Sequence, residues 1–133
     1  MRWHLALGLL HLCSCGTLRT YPGPARSSDE VATIKPGGNL FRPVSIESVD
    51  RYSLGFFDRY AEVLPGYHTV MIQLNNSGAN YTKIIQRAVS FVAEAGKVYI
   101  VEADETGFFL NKEFWAWIED EATGARVDGE RES

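Results

Sequence analysis

From residue 31 onward the chain is a succession of short apolar runs separated by clusters of Gly, Pro, Asn and Asp. The clearest alternation places His68, Val70, Ile72 and Leu74 on one face of an extended segment, with Thr69, Met71 and Gln73 on the other. Val89, Phe91 and Ala93 alternate in the same way against Ala88, Ser90 and Val92. The pattern predicts strands at 31–34, 44–49, 60–63, 68–74, 87–93, 98–103 and 114–118, and a last short one at 126–127. Around 98–101 both faces are apolar, which predicts a central strand covered on both sides. The period of two breaks after Val44 and Ile46 and resumes at Val49, which predicts a bulge near Glu47-Ser48. A helical turn is possible only around 81–86 or 111–114. Short strands punctuated by turns predict an all-β fold, a single small antiparallel β-sandwich of about seven strands.

Two turns have a specific chemical reason. In Leu64-Pro65-Gly66, proline presets φ at the second position and glycine admits positive φ at the third, as a type II turn requires. Gly96 plays the same part ahead of Lys97.

The first 15 residues have a different pattern. Arg2 precedes an apolar run from Leu5 to Leu12, too short to span a bilayer, which needs roughly 20 residues. It suits a secretory h-region of about 7–15 residues. With Leu12-Cys13-Ser14-Cys15 behind it, the segment resembles the signal peptide and lipobox of bacterial lipoproteins. That resemblance implies cleavage after residue 14 and acyl chains on Cys15. One chain holds a protein only marginally at a membrane and two or more hold it stably. Gly16 occupies the place where an Asp would signal retention at the inner membrane, so the resemblance implies the outer membrane, with the domain facing the periplasm. Residues 15–31, with Pro22, Gly23, Pro24, Ser27 and Ser28, read as a flexible tether with a reach of about 20 Å. The folded domain then spans 32–127, and 128–133 forms a disordered tail.

A chain of 133 residues supports one modest core. Its net charge of −4 becomes one unit more negative when Arg2 leaves with the leader. Acidic residues concentrate from Asp104 to Glu132 and no basic face is visible, which argues against nucleic acid as a partner. Cys13 and Cys15 are the two cysteines, so the processed monomer has no disulfide. Asn75-Asn76-Ser77 and Asn80-Tyr81-Thr82 match glycosylation sequons, which in a bacterial protein are loop composition.

Four segments taken in order look familiar: Val44-Ser45-Ile46-Glu47-Ser48-Val49-Asp50, Leu64-Pro65-Gly66-Tyr67-His68-Thr69-Val70, Phe91-Val92-Ala93-Glu94-Ala95-Gly96-Lys97-Val98-Tyr99 and Trp117-Ile118-Glu119-Asp120-Glu121-Ala122-Thr123-Gly124. As a set, over residues 40 to 127, they resemble small lipoproteins of Gram-negative bacteria and PEGA-type β-sandwich modules. Arg51 stands where that family has Gly, which implies another geometry for the first hairpin turn. The resemblance implies a surface-facing structural or binding module and carries no catalytic residues over.

Candidate chemistry is sparse. His68 is the sole histidine after the leader, without a second His or a Cys to share a metal or a nucleophile, so it reads as a strand-end His bonded to a nearby turn. Asp104-Glu105 and Glu119-Asp120-Glu121 lack the spacing of a calcium loop, and adjacent acids in turns are usually solvated. Trp115 and Trp117 share one face of a strand, opposite Phe114, Ala116 and Ile118. Exposed, they form a platform for sugar rings or a partner protein; turned inward, they fill the space between sheets. Phe108 and Phe109 add apolar surface in the neighbouring connection.

The resulting expectation is a lipid-anchored envelope protein that binds or scaffolds, with no catalysis, cofactor or metal. Its partners are the membrane through Cys15 and an envelope protein or peptidoglycan. Two rivals remain: a small envelope hydrolase using a carboxylate pair, and an inhibitor of an envelope-degrading enzyme. The hydrolase requires two acids converging in a pocket with one pKa raised. The inhibitor requires a protruding acidic loop.

Overall fold

Alternation of apolar and polar positions builds two stacked sheets. A computed structural model describes residues 16–39, 43–55, 58–77, 82–106 and 113–130. Among these the chain forms ten strands and no helix: β1 (Thr17–Arg19), β2 (Ala32–Pro36), β3 (Val44–Val49), β4 (Tyr52–Ser53), β5 (Tyr60–Val63), β6 (Gly66–Ser77), β7 (Thr82–Ala93), β8 (Val98–Thr106), β9 (Glu113–Asp120) and β10 (Arg126–Glu130). The larger sheet has the order β1-β5-β2-β8-β9-β10 and the smaller the order β4-β3-β6-β7. The fold is all-β, a two-layer sandwich.

The inward residues are those the alternation selects. The smaller sheet contributes Val44, Ile46, Val49, Val70, Ile72, Leu74, Val89, Phe91 and Ala93, and the larger Ala32, Ile34, Ala61, Val63, Tyr99, Val101, Phe114, Ala116 and Ile118. Removing these side chains from water is the main driving force of the fold, about 1.5–3 kcal/mol for each large one. Phe91 and Tyr99 meet edge to face across the layers with ring centroids 4.8 Å apart. The Tyr99 hydroxyl accepts the Glu94 N–H at 2.9 Å, so its polar end is satisfied where the chain turns from one sheet to the other.

Several expectations need correction. The sandwich includes two parallel pairs, β1 with β5 and β2 with β8, beside its antiparallel ones. The helical possibilities at 81–86 and 111–114 give way to strand from Thr82 and from Glu113. β8 is central in its sheet, with Tyr99 and Val101 buried; Val98 and Ile100 lie half-buried on the outer face, which no second layer covers among the described residues. The segment read as a tether contributes β1 to a sheet edge and buries Tyr21, whose hydroxyl reaches Glu62 at 2.6 Å. Backbone pairing and an aromatic ring fix what Pro and Ser content alone suggested was loose. The register shift in β3 falls between Ile46 and Ser48, where the broken period placed the bulge.

The turns divide likewise. At Asp50-Arg51 only Asp50 takes positive φ, 55°, so Arg51 sits in the hairpin without strain. The Asp50 carboxylate fastens that turn by accepting the Thr69 N–H at 3.0 Å. Gly96 has φ of 79° in a turn closed by Lys97 N–H to Glu94 O at 3.3 Å, as a type II geometry requires. Gly66 has φ of 131° and already pairs with Ala93, so Leu64-Pro65-Gly66 is a bend that carries the chain between sheets rather than a type II turn.

Candidate functional site

The β8–β9 register decides which side chains share the outer face of the larger sheet. Asp104 pairs with Trp115, Glu102 with Trp117 and Ile100 with Glu119, while Arg126 on β10 pairs with Glu119. Directly opposed residues on a sheet place their Cβ atoms about 4.5–5.5 Å apart. Each indole therefore stands beside a carboxylate. On β9 the burial alternates strictly: Phe114, Ala116, Ile118 and Asp120 point inward, whereas Trp115, Trp117 and Glu119 are half-buried on the outer face. Of the two arrangements open to the tryptophans, the outward one holds, because three apolar residues of β9 already fill its inward positions.

The face is shaped as well as aromatic. Two adjoining hollows of about 370 and 360 Å³ flank Trp117. The first is lined by Asp104, Trp115, Trp117, Glu119 and Arg126, and the second includes Gly38, Asn39, Glu102 and Asp104 beside Trp117 and Glu119. Trp117 Nε1–H donates to Glu119 Oε2 at 2.7 Å, which holds the ring and the carboxylate together. Glu102 Oε1 accepts the Gly38 N–H at 3.0 Å. Gly37 makes this possible: a Cβ there would lie 2.3 Å from the Val101 carbonyl oxygen and 2.7 Å from Glu102 Cδ.

Charge on this face is frustrated. Burial pushes the Glu102 carboxyl above its ordinary value, against the Gly38 hydrogen bond, and the negative charges of Glu119 and Asp104 add to the rise. Among the described residues no three His, Cys, Asp or Glu side chains are grouped to hold a metal ion. A larger hollow of about 560 Å³ lies elsewhere, lined by Pro36, Gly37, Asn39, Pro43, Val44, Ser45, Asp58 and Arg59. Among the described residues its lining has no aromatic ring, and Asp58 is already occupied in capping the Gly55 N–H at 2.9 Å.

His68 is remote from this face. Its Nδ1 lies 2.7 Å from Asp50 Oδ2 and its Nε2 2.6 Å from the Leu64 carbonyl oxygen, so it ties two turns together. Asp120 points inward with Lys97 Nζ at 3.2 Å, and Glu121 meets Lys35 at 3.1 Å. The acidic run 119–121 is thus divided among three environments. Cys15, Phe108 and Phe109 lie outside the described residues. Sequence reasoning passed over Glu102, although its alternation with Val101 and Ala103 puts it on the same face as Asp104. Comparison with family models, curated proteins and solved structures finds no match.

Proposed function

We propose that this chain is a lipid-anchored lipoprotein of the bacterial envelope, facing the periplasm from the outer membrane, and that its sandwich acts by binding. The contact surface is the face around Trp115 and Trp117, and Phe108 and Phe109 are further binding residues in this proposal. The observation that carries this reading is the outward placement of both indoles over two adjoining hollows, on a strand whose inward positions are already filled. Large rings held rigidly at the surface give much contact area at low entropic cost, and such residues dominate binding energy in protein interfaces. The anchor rests on Leu12-Cys13-Ser14-Cys15 and the apolar run before it.

The test uses the lipidated protein and peptidoglycan-containing envelope fragments. Trp117→Ala is expected to lose retention on the fragments while keeping its fold and its acyl mass on Cys15. Retention equal to the parent protein contradicts the binding face. An intact Met1 in the membrane pool contradicts the anchor.

One observation favours a second reading. Glu102 is a carboxyl raised by burial beside two further acids in a hollow, which is the environment of a general acid in a glycoside hydrolase. Release of soluble sugar from peptidoglycan, abolished by Glu102→Gln, would establish that reading instead.

A further inference from the structure

We propose that the outer edge of β7 pairs with β7 of a second copy of this chain, antiparallel and centred on Ala88, joining the two smaller sheets into one. The inference stands apart from the anchor and from the face around Trp115 and Trp117.

β7 ends the smaller sheet. Along one side it is bonded to β6 over an unshifted register, and among the described residues no strand is paired to its other side. β10 approaches it from the other layer without joining its sheet. An edge of this kind presents unpaired backbone donors and acceptors, which proteins usually guard with proline, bulges or charged side chains. From Thr82 to Ala93 there is no proline, glycine or bulge. Lys83 stands at one end of the strand. Arg87 is turned into its own protomer, where it donates to the Phe114 carbonyl oxygen at 2.8 Å and lies 5.3 Å from the Phe114 ring centroid. The outward row of Ile84, Gln86, Ala88, Ser90 and Val92 carries no charge, so two copies of this acidic chain can meet there without repulsion.

The symmetry of that row selects a second copy as the occupant and fixes the register. Ile84 and Val92 are 56% and 63% exposed, and they stand four residues before and four residues after Ala88. A twofold axis at Ala88 therefore sets Ile84 of each protomer across from Val92 of the other, Gln86 across from Ser90, and the small Ala88 across from itself. Directly opposed apolar pairs are the units that stabilise a sheet. Sliding the pair by two residues loses both contacts, and sliding it by one sets outward residues against inward ones. Tyr67, 70% exposed and across from Val92 on β6, extends the apolar row on each side. The twofold axis of an antiparallel pair is perpendicular to the sheet, so both Trp117 faces of the dimer point the same way and can engage one extended partner together.

The full protein is followed by sedimentation equilibrium in density-matched detergent, where a reversible dimer is expected. Ile84→Glu alone and Val92→Lys alone should each weaken it about tenfold or more, because each sets a charge against an apolar side chain of the other copy. Combined in one chain they should bring it back to within about threefold of the parent, since the carboxylate at 84 then meets the ammonium at 92 of the other protomer. Within one protomer the two positions lie about 27 Å apart at the rise of a strand, so the recovery can arise only between copies. Urea midpoints of all three variants should stay close to the parent's, because both side chains face water. A monomer at every concentration overturns the proposal, as does a dimer that neither single variant weakens. Losses that the combined variant does not restore overturn the pairing about Ala88, and association that continues past two copies overturns the closed dimer.

Discussion

Asp120 is the buried charged residue among those described, and it closes the end of β9 onto the turn between β7 and β8. Burial alone would raise its carboxyl; the Lys97 ammonium and the N–H groups of Ala122 and Thr123 outweigh that and hold it below its ordinary value of 3.8. Lys97 is raised above 10.5 by the hydrogen bonds it donates to the carboxylates of Asp120 and Glu94. The stability from Asp120 is therefore present at neutral pH and lost as the pH falls below 3.8 through the folded value. That from Lys97 is lost as the pH rises above 10.5 through its folded value. Glu102 has the opposite sign: its folded pKa lies above the ordinary 4.5, so its ionised form costs stability at neutral pH, and the cost disappears as the pH falls through the raised value to 4.5. Urea midpoints against pH should accordingly rise toward pH 4.5 and fall below 3.8. Glu102→Gln should have the higher midpoint at pH 7, with the difference vanishing by pH 4. A higher midpoint for the parent protein at pH 7 contradicts the electrostatics assigned to the site. Gly66 and Gly96 both hold positive φ, and alanine at either should cost about 1 kcal/mol or more in denaturant unfolding.

At the scale of elements, β1 alters how the anchor would hold the domain. The Gly16 carbonyl oxygen accepts N–H bonds from Arg59 at 2.7 Å and Tyr60 at 2.9 Å, and β1 continues in parallel register along β5. On the proposed acylation of Cys15, the domain would be docked from the next residue on and held close to the bilayer. Trypsin should cut slowly at Arg19, inside β1, and faster at Arg26, which is exposed. Faster cleavage at Arg19 would restore the flexible tether. The contrast shows which elements the sequence makes legible. β3, β5, β6 and β9 alternate over several residues, and their inward faces are apparent from hydrophobicity alone. β1 and β4 are three and two residues long, too short for a period to register, and their pairing depends on distant strands. That the two indoles share a face follows from alternation within β9, whereas that the face is the outer one, and which carboxylates stand across from them, depends on how the sheets stack and on the β8–β9 register, which no single strand specifies.

For the whole molecule, the inner side of β9 fills the core and the outer side carries the proposed contact surface. Ile118→Ala should cost about 2–5 kcal/mol, because it opens a cavity between the sheets. Trp117→Ala, one residue away on the outer face, should cost about 1 kcal/mol, half the value of full burial, while removing the centre of the contact surface. Comparable losses in both variants would mean that Trp117 supports the core after all. The most direct measurement is broadening of the 5-fluorotryptophan resonances of Trp115 and Trp117 by a soluble gadolinium chelate, with and without envelope fragments. Both resonances should broaden in the free protein and both should be protected when the fragments are added. Resonances that stay sharp in the free protein, or broaden equally with fragments present, contradict a binding face built on these two indoles.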